Sequence, residues 1–256
     1  MPILIQFVLR LSFGMALAMA ITPSRLVTSG YYRVHLYALL GLNVLASLAA
    51  YLGREHLDRW PLVIAGAALS AALSYVGSAI WLYEKARAGT VLLYLVALAA
   101  VAGAALATPW QKNTTSVLVT LTVLDLLSSG LLLGVTMAAM LLGHLYLNTP
   151  TMQLVPLKRL VALMAVAVVV RTILAAVGLS LEVGEQGRPE DTMLMFLLLR
   201  WLAGLLGTMM LAIMAWQTLK IPNTQSATGI LYVGVITTFL GEMTSQLLSV
   251  QCHYPL

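Results

Sequence analysis

The chain has 256 residues, 61% of them hydrophobic and 9% charged, with a net charge of +5. Soluble domains are nearer half apolar and a quarter charged, so this composition lacks the polar surface for a water-soluble globule and points to lipid as the solvent. The positive balance does not suggest nucleic acid, because Lys and Arg stand singly or in pairs between apolar runs, as membrane loops carry them.

Apolar runs of about twenty residues read as spanning helices. Eight are predicted, at roughly 3–21, 33–53, 62–83, 91–108, 117–147, 160–181, 193–218 and 228–249. The expected fold is all-α: a polytopic integral membrane bundle with short loops, a single transmembrane domain over 1–256. The first run partly mimics a signal peptide, with "AMA" as a cleavage site. It lacks a basic leader segment and is interrupted by Arg10, so it is read as the first spanning helix. The third run places Gly66, Ser70, Ser74 and Ser78 on one face, and the fifth carries Gly130 and Gly134. Small residues at such spacing let backbones approach closely.

The fifth run is over-long. Its 31 residues would reach ~46 Å, against a hydrocarbon core of about 30 Å. It is expected to tilt, to kink near Ser128–Gly130, or to project. It ends in "GHLYLNTP", followed by Lys158 and Arg159. No internal repeat is legible, and no loop is long enough for a separate domain.

Orientation follows from the basic residues. Arg25, Arg33, Lys85, Arg87, Lys158, Arg159 and Lys220 lie on one side, and Arg54, Arg59, Lys112 and Arg188 on the other. Seven against four places both termini outside, and the expected location is a bacterial inner (plasma) membrane. The external segment 182–191 carries Glu182, Glu185, Glu190 and Asp191 against Arg188, an acidic patch that could dock other subunits of a membrane complex.

Five ionisable residues sit well inside the runs: Arg10, Asp125, Arg171, Arg200 and Glu242. Each costs about 2.5–3.5 kcal/mol at the centre of a lone helix, so they should face the bundle and find partners. At 1.5 Å per residue, Arg10, Asp125 and Arg200 lie roughly 12–13 Å from the outer face, and Arg171 and Glu242 roughly 8–12 Å. All five share one layer. Thr238, Glu242, Ser245, Gln246 and Ser249 form a polar stripe on the last run, and Gln6 shares a face with Arg10. The layer reads either as a self-satisfied network or as a ligand or proton site. Three arginines against two carboxylates leave an excess positive charge that favours an anionic or carbonyl-bearing ligand.

Of four histidines, His56 and His253 fall in external segments, while His35 and His144 lie near the inner face. That last pair is the one combination that could hold a haem b, and either ring could bind a quinone head group. The alternative is a pair of interfacial helix-end residues beside Tyr31, Tyr32 and Tyr146. His144 is 19 residues from Asp125, roughly 28 Å along a helix, so the two cannot share a site. The single cysteine, Cys252, excludes an intrachain disulfide and any multi-cysteine metal or iron–sulfur site. No soluble-enzyme motif appears, and catalysis by this chain alone is not expected.

Three functions fit these residues. The first is an integral subunit of a quinone-linked respiratory or redox complex. In helix count, size and external termini the chain resembles the eight-helix anchor subunits of molybdenum-enzyme quinol oxidoreductases. The resemblance reaches no motif and carries over no residue roles. The second is a secondary transporter for a small anion, using the buried Arg/Asp/Glu layer. The third is a non-catalytic membrane scaffold or assembly factor.

Overall fold

Each apolar run forms a helix. The computed structural model describes residues 2–110, 115–149, 151–187, 191–221 and 223–256, apart from the side chains of Asp191 and Thr192. Lys112, Arg188 and Glu190 lie outside the described residues. The helices are α1 (Pro2–Ile21), α2 (Ser29–Leu52), α3 (Trp60–Leu82), α4 (Ala86–Ala107), α5 (Ser116–Asn148) and α6 (Val155–Gln186). Helix α7 comprises α-helical Asp191–Leu199, a π-helical stretch Arg200–Gly207 and α-helical Thr208–Lys220; α8 is Thr224–Gln251. All eight are long and apolar enough to cross a membrane, and no strand occurs among the described residues.

Several helices extend past the apolar runs, for local reasons. Helix α6 starts at Val155, five residues earlier than predicted, because Pro156 sits in its first turn, where a missing N–H is tolerated. Lys158 and Arg159 are therefore helical. Helix α6 also runs on to Gln186, which puts Glu182 and Glu185 on a helix, and ends at Gly187 with φ 81°. Helix α8 starts at Thr224, where the Asn223 side chain accepts from Ser226 N at 3.0 Å. Helix α5 runs without interruption through Ser128–Gly130 for 33 residues, ~50 Å.

Helices α1 to α4 pack as a ring in which each touches the next and α4 returns to α1; α5 to α8 form a second ring of the same pattern. Sequential antiparallel helices with short connections give this arrangement without any sequence repeat. The rings meet chiefly along α1 and α5, and α8 also reaches α1. Helix α1 is the central one, buried continuously from Ile5 to Ala16. The outer surface of α2 to α8 carries large apolar side chains, among them Leu48, Leu69, Leu98, Ile173, Leu202 and Ile236.

Glycines set the two closest crossings. A Cβ on Gly14 would lie 1.7 Å from the Gly130 carbonyl oxygen, and one on Gly134 1.8 Å from the Gly14 carbonyl carbon. At the α7–α8 crossing, a Cβ on Gly204 would lie 2.6 Å from Gly241 Cα. In both places backbone meets backbone, so no side chain can swing aside. Gly134→Ala and Gly204→Ala should each sharply lower the melting temperature of detergent-solubilised protein. Gly41→Ala, with nothing within 4 Å of the added carbon, should leave it unchanged or slightly raised. Equal effects at all three positions would show that these crossings do not set the packing.

Candidate ligand site

The structure brings the five buried charges into one chain of alternating sign. Arg10 Nη1 on α1 donates to Asp125 Oδ2 on α5 at 2.7 Å. Arg171 on α6 donates through Nη1 to Asp125 Oδ1 at 2.5 Å and through Nε to Glu242 Oε1 on α8 at 3.1 Å. Arg200 on α7 donates through Nη1 to Glu242 Oε1 at 2.8 Å. The order is Arg10, Asp125, Arg171, Glu242, Arg200. Each carboxylate lies between two guanidiniums, and the excess positive charge resides at the two ends. Arg171 and Arg200 are 1% exposed and Glu242 is fully buried.

Neutral groups extend the chain. Gln6 Oε1 accepts from Arg10 Nε at 3.3 Å, and Gln6 Nε2 donates to Ala104 O at 2.9 Å and Thr108 Oγ1 at 3.1 Å on and just beyond α4. Arg171 Nη2 donates to Ser245 Oγ at 2.8 Å. Six of the eight helices are thus tied at one depth. Sequence periodicity anticipated Gln6, Ser245 and Gln246 through their shared faces with Arg10 and Glu242. It did not anticipate the α4 partners, whose only signal is a threonine at the end of an alanine-rich run.

A cavity of about 410 Å³ descends to Arg10 and Asp125 from the end of the bundle that holds both termini. Its floor is Gln6, Arg10, Asp125, Thr122 and Gln246; its walls include Ile3, Ala107, Trp110, Leu118 and Val250. The volume falls in the range of small-molecule sites, about 300–1,000 Å³. Gln246 is 6% exposed, and both its amide nitrogen and its amide oxygen lack a hydrogen-bond partner among the described residues. Arg171, Arg200 and Glu242 are not among the lining residues.

One wall is the segment after α8. Cys252, His253 and Pro255 line the cavity, while Tyr254 and Leu256 are buried in the bundle. Glu182 Oε2 accepts from the backbone N–H groups of both His253 and Tyr254 at 2.9 Å, and Glu185 Oε1 accepts from the Tyr254 hydroxyl at 2.7 Å. Ser245 Oγ donates to the Leu256 carbonyl. Two glutamates of the expected docking patch therefore hold the chain's own tail. Nothing in the sequence signalled this, because the tail has no periodicity. Burial, with the Glu182 carboxylate nearby, pushes the Cys252 thiol up to about 11.

The histidines are apart. His35 Nδ1 lies 2.6 Å from Tyr31 O one turn back on α2. His144 is exposed and pairs through Nδ1 with the Tyr232 hydroxyl of α8 at 3.1 Å. Tyr31 of α2 reaches Ala138 of α5, and from that level His35 and His144 diverge in opposite directions along their helices. The pair does not fit a haem held between two rings. Among the described residues no group of three or more His, Cys, Asp or Glu side chains is placed to hold a metal. His253 lines the cavity, and His56 is exposed in a single 3₁₀ turn, Arg54–His56.

No family model matches the chain, and neither curated proteins nor solved structures provide a match.

Arg171 joins both carboxylates, so Arg171→Ala strips a partner from each. It should cost about 3–5 kcal/mol, the scale for breaking a buried pair. Arg10→Ala leaves Asp125 paired with Arg171 and should cost less. Thermal or denaturant unfolding in detergent would rank them, and a reversed order would contradict the chain. Glu182→Ala should free the tail and raise the maleimide labelling rate of Cys252, the one cysteine, several-fold; an unchanged rate would show that Glu182 does not latch it.

Proposed function

We propose that this chain is an integral membrane protein that binds a small anionic solute from the side holding both termini and carries it across the bilayer as a secondary transporter. One observation supports this reading above the others: a solute-sized cavity ends on Arg10, the outer cation of a buried ion-pair chain with excess positive charge. A site built only to satisfy itself has no need of an access path to its terminal cation. The Lys and Arg distribution supports both termini outside a plasma membrane.

The ion-pair order supports a mechanism. Asp125 has two arginine partners, so it keeps Arg171 when an incoming anion takes Arg10. The exchange leaves no carboxylate unpaired in the low-dielectric interior, the state that would cost most. Asp125 also lines the cavity, whereas Glu242 is sealed between Arg171 and Arg200. Asp125 is accordingly the acid that a coupling proton can reach, and Glu242 is the fixed anchor.

Purified protein should be thermally stabilised by members of a panel of C2 to C8 monocarboxylates but not by their amides, since only ligands that bind the folded state shift its melting. Arg10→Gln should abolish the shift, and Arg10→Lys should retain part of it. Proteoliposomes should take up the stabilising acids. Stabilisation that persists in Arg10→Gln, or no response to any acid, would sink the proposal.

A further inference from the structure

We propose that Gln246 is the specificity-determining residue of the Arg10 cavity, and that the ligand is a carboxylate bearing a neutral hydrogen-bond donor on an apolar body, the class of a 2-hydroxy acid. The inference rests on the reading of that cavity as an anion site and adds what else the anion carries.

The amide of Gln246 is the starting observation. It projects from α8 one turn beyond Glu242, lines the cavity, is more than nine-tenths buried, and has no partner at either polar atom among the described residues. A buried amide with neither donor nor acceptor satisfied is costly, and native interiors leave few such groups. Other floor residues have protein partners. Gln6 spends its amide on Ala104, Thr108 and Arg10, and the Thr122 hydroxyl donates to Leu118 O at 2.8 Å. Gln246 is thus the uncommitted polar group beside Arg10 and Asp125.

Its chemistry defines the complement. The amide nitrogen donates and the amide oxygen accepts, so a full partner presents an acceptor and a donor side by side. Arg10 meets the negative charge. A carboxylate flanked by a hydroxyl supplies both needs: an oxygen towards Arg10 and Gln246 Nε2, and an O–H towards Gln246 Oε1. A cationic donor such as an ammonium fits less well, because three arginines already outnumber two carboxylates in the adjoining chain. The walls of Ile3, Trp110, Leu118 and Val250 would take an apolar side chain.

The consequence is discrimination by a missing group. A site that hydrogen-bonds a ligand hydroxyl rejects the analogue lacking it, because its own polar atoms are then left unpaired. Isothermal titration of the full chain in detergent, with 2-hydroxy-4-methylpentanoate, 4-methylpentanoate and leucine as probes, tests this. The hydroxy acid should bind roughly tenfold more tightly than the plain acid, one neutral hydrogen bond's worth of affinity, and more tightly than leucine. Gln246→Leu should fold at least as well as the parent, since it removes a buried unpaired amide, and should bind both acids equally. Gln246→Glu, which adds a negative charge to the floor, should weaken both acids. Equal binding of the two acids by the parent, tighter binding of leucine, or a preference that survives Gln246→Leu would overturn the assignment while leaving the anion site standing. Binding of neither acid would overturn both.

Discussion

A charge buried away from water has to find an opposite charge, and this single constraint organises the bundle. Five ionisable side chains on five helices solve it jointly. Helices in lipid gain little from burying apolar surface against each other, because the surrounding tails are equally apolar. What fixes their mutual placement is close packing and polar contact. Here the two coincide. The Gly14–Gly130–Gly134 crossing lies next to the Arg10–Asp125 pair on the same two helices, and Arg200 Nη1 lies beside the Gly204–Gly241 crossing that brings it to Glu242. Glycine permits the approach, and charge pairing makes it specific.

The two ends of the bundle are built differently. The end with the termini holds the ion-pair chain, the cavity and the latched tail. The other end is filled by the largest apolar cluster, where Tyr32 and Trp81 stack with ring centroids 4.0 Å apart and Leu36, Leu142, Leu157 and Leu219 are fully buried. Arg25, Arg33, Lys85, Arg87, Lys158, Arg159 and Lys220 flank that apolar end together with Glu84, while Glu55, Asp58, Glu182 and Glu185 sit at the other with Arg54 and Arg59. A polar half with a cavity thus adjoins a closely packed apolar half.

Depth was legible in the sequence because a helix converts residue number into distance at a fixed rise. Counting from the run ends put Arg10, Asp125, Arg171, Arg200 and Glu242 in one layer, and they are in contact. Which acid meets which arginine was not legible, since that depends on how each helix is rotated about its axis. The π-helical turn at Arg200 is invisible to hydropathy, because Arg200–Gly207 is apolar enough to continue an α-helix. His35 and His144 are rare titratable groups at similar nominal depth, yet their level relative to one another is set by the contact between α2 and α5, which hydropathy does not encode. The tail is the largest omission: Cys252 to Leu256 show no periodicity, and nothing in them signals that Glu182 and Glu185 of α6 hold them as a wall of the cavity.

On the transporter reading proposed above, a site open at one end must at some point open at the other, and the ion-pair chain restricts how. Glu242 is bound to Arg171 and Arg200, which keeps α6, α7 and α8 together as a unit. Asp125 on α5 links α1 to that unit through ion pairs, with Arg10 on one side and Arg171 on the other. On the proposed reading, an anion that replaces Asp125 at Arg10 breaks this ion pair and leaves those of Arg171 and Arg200 intact. The π-helical stretch lies in the unit that stays together, where a widened turn can be absorbed without breaking a charge pair. On that reading the first ring shifts against the second along the α1–α5 contact, where Gly14 and Gly134 meet backbone to backbone and Phe13 packs over Gly130.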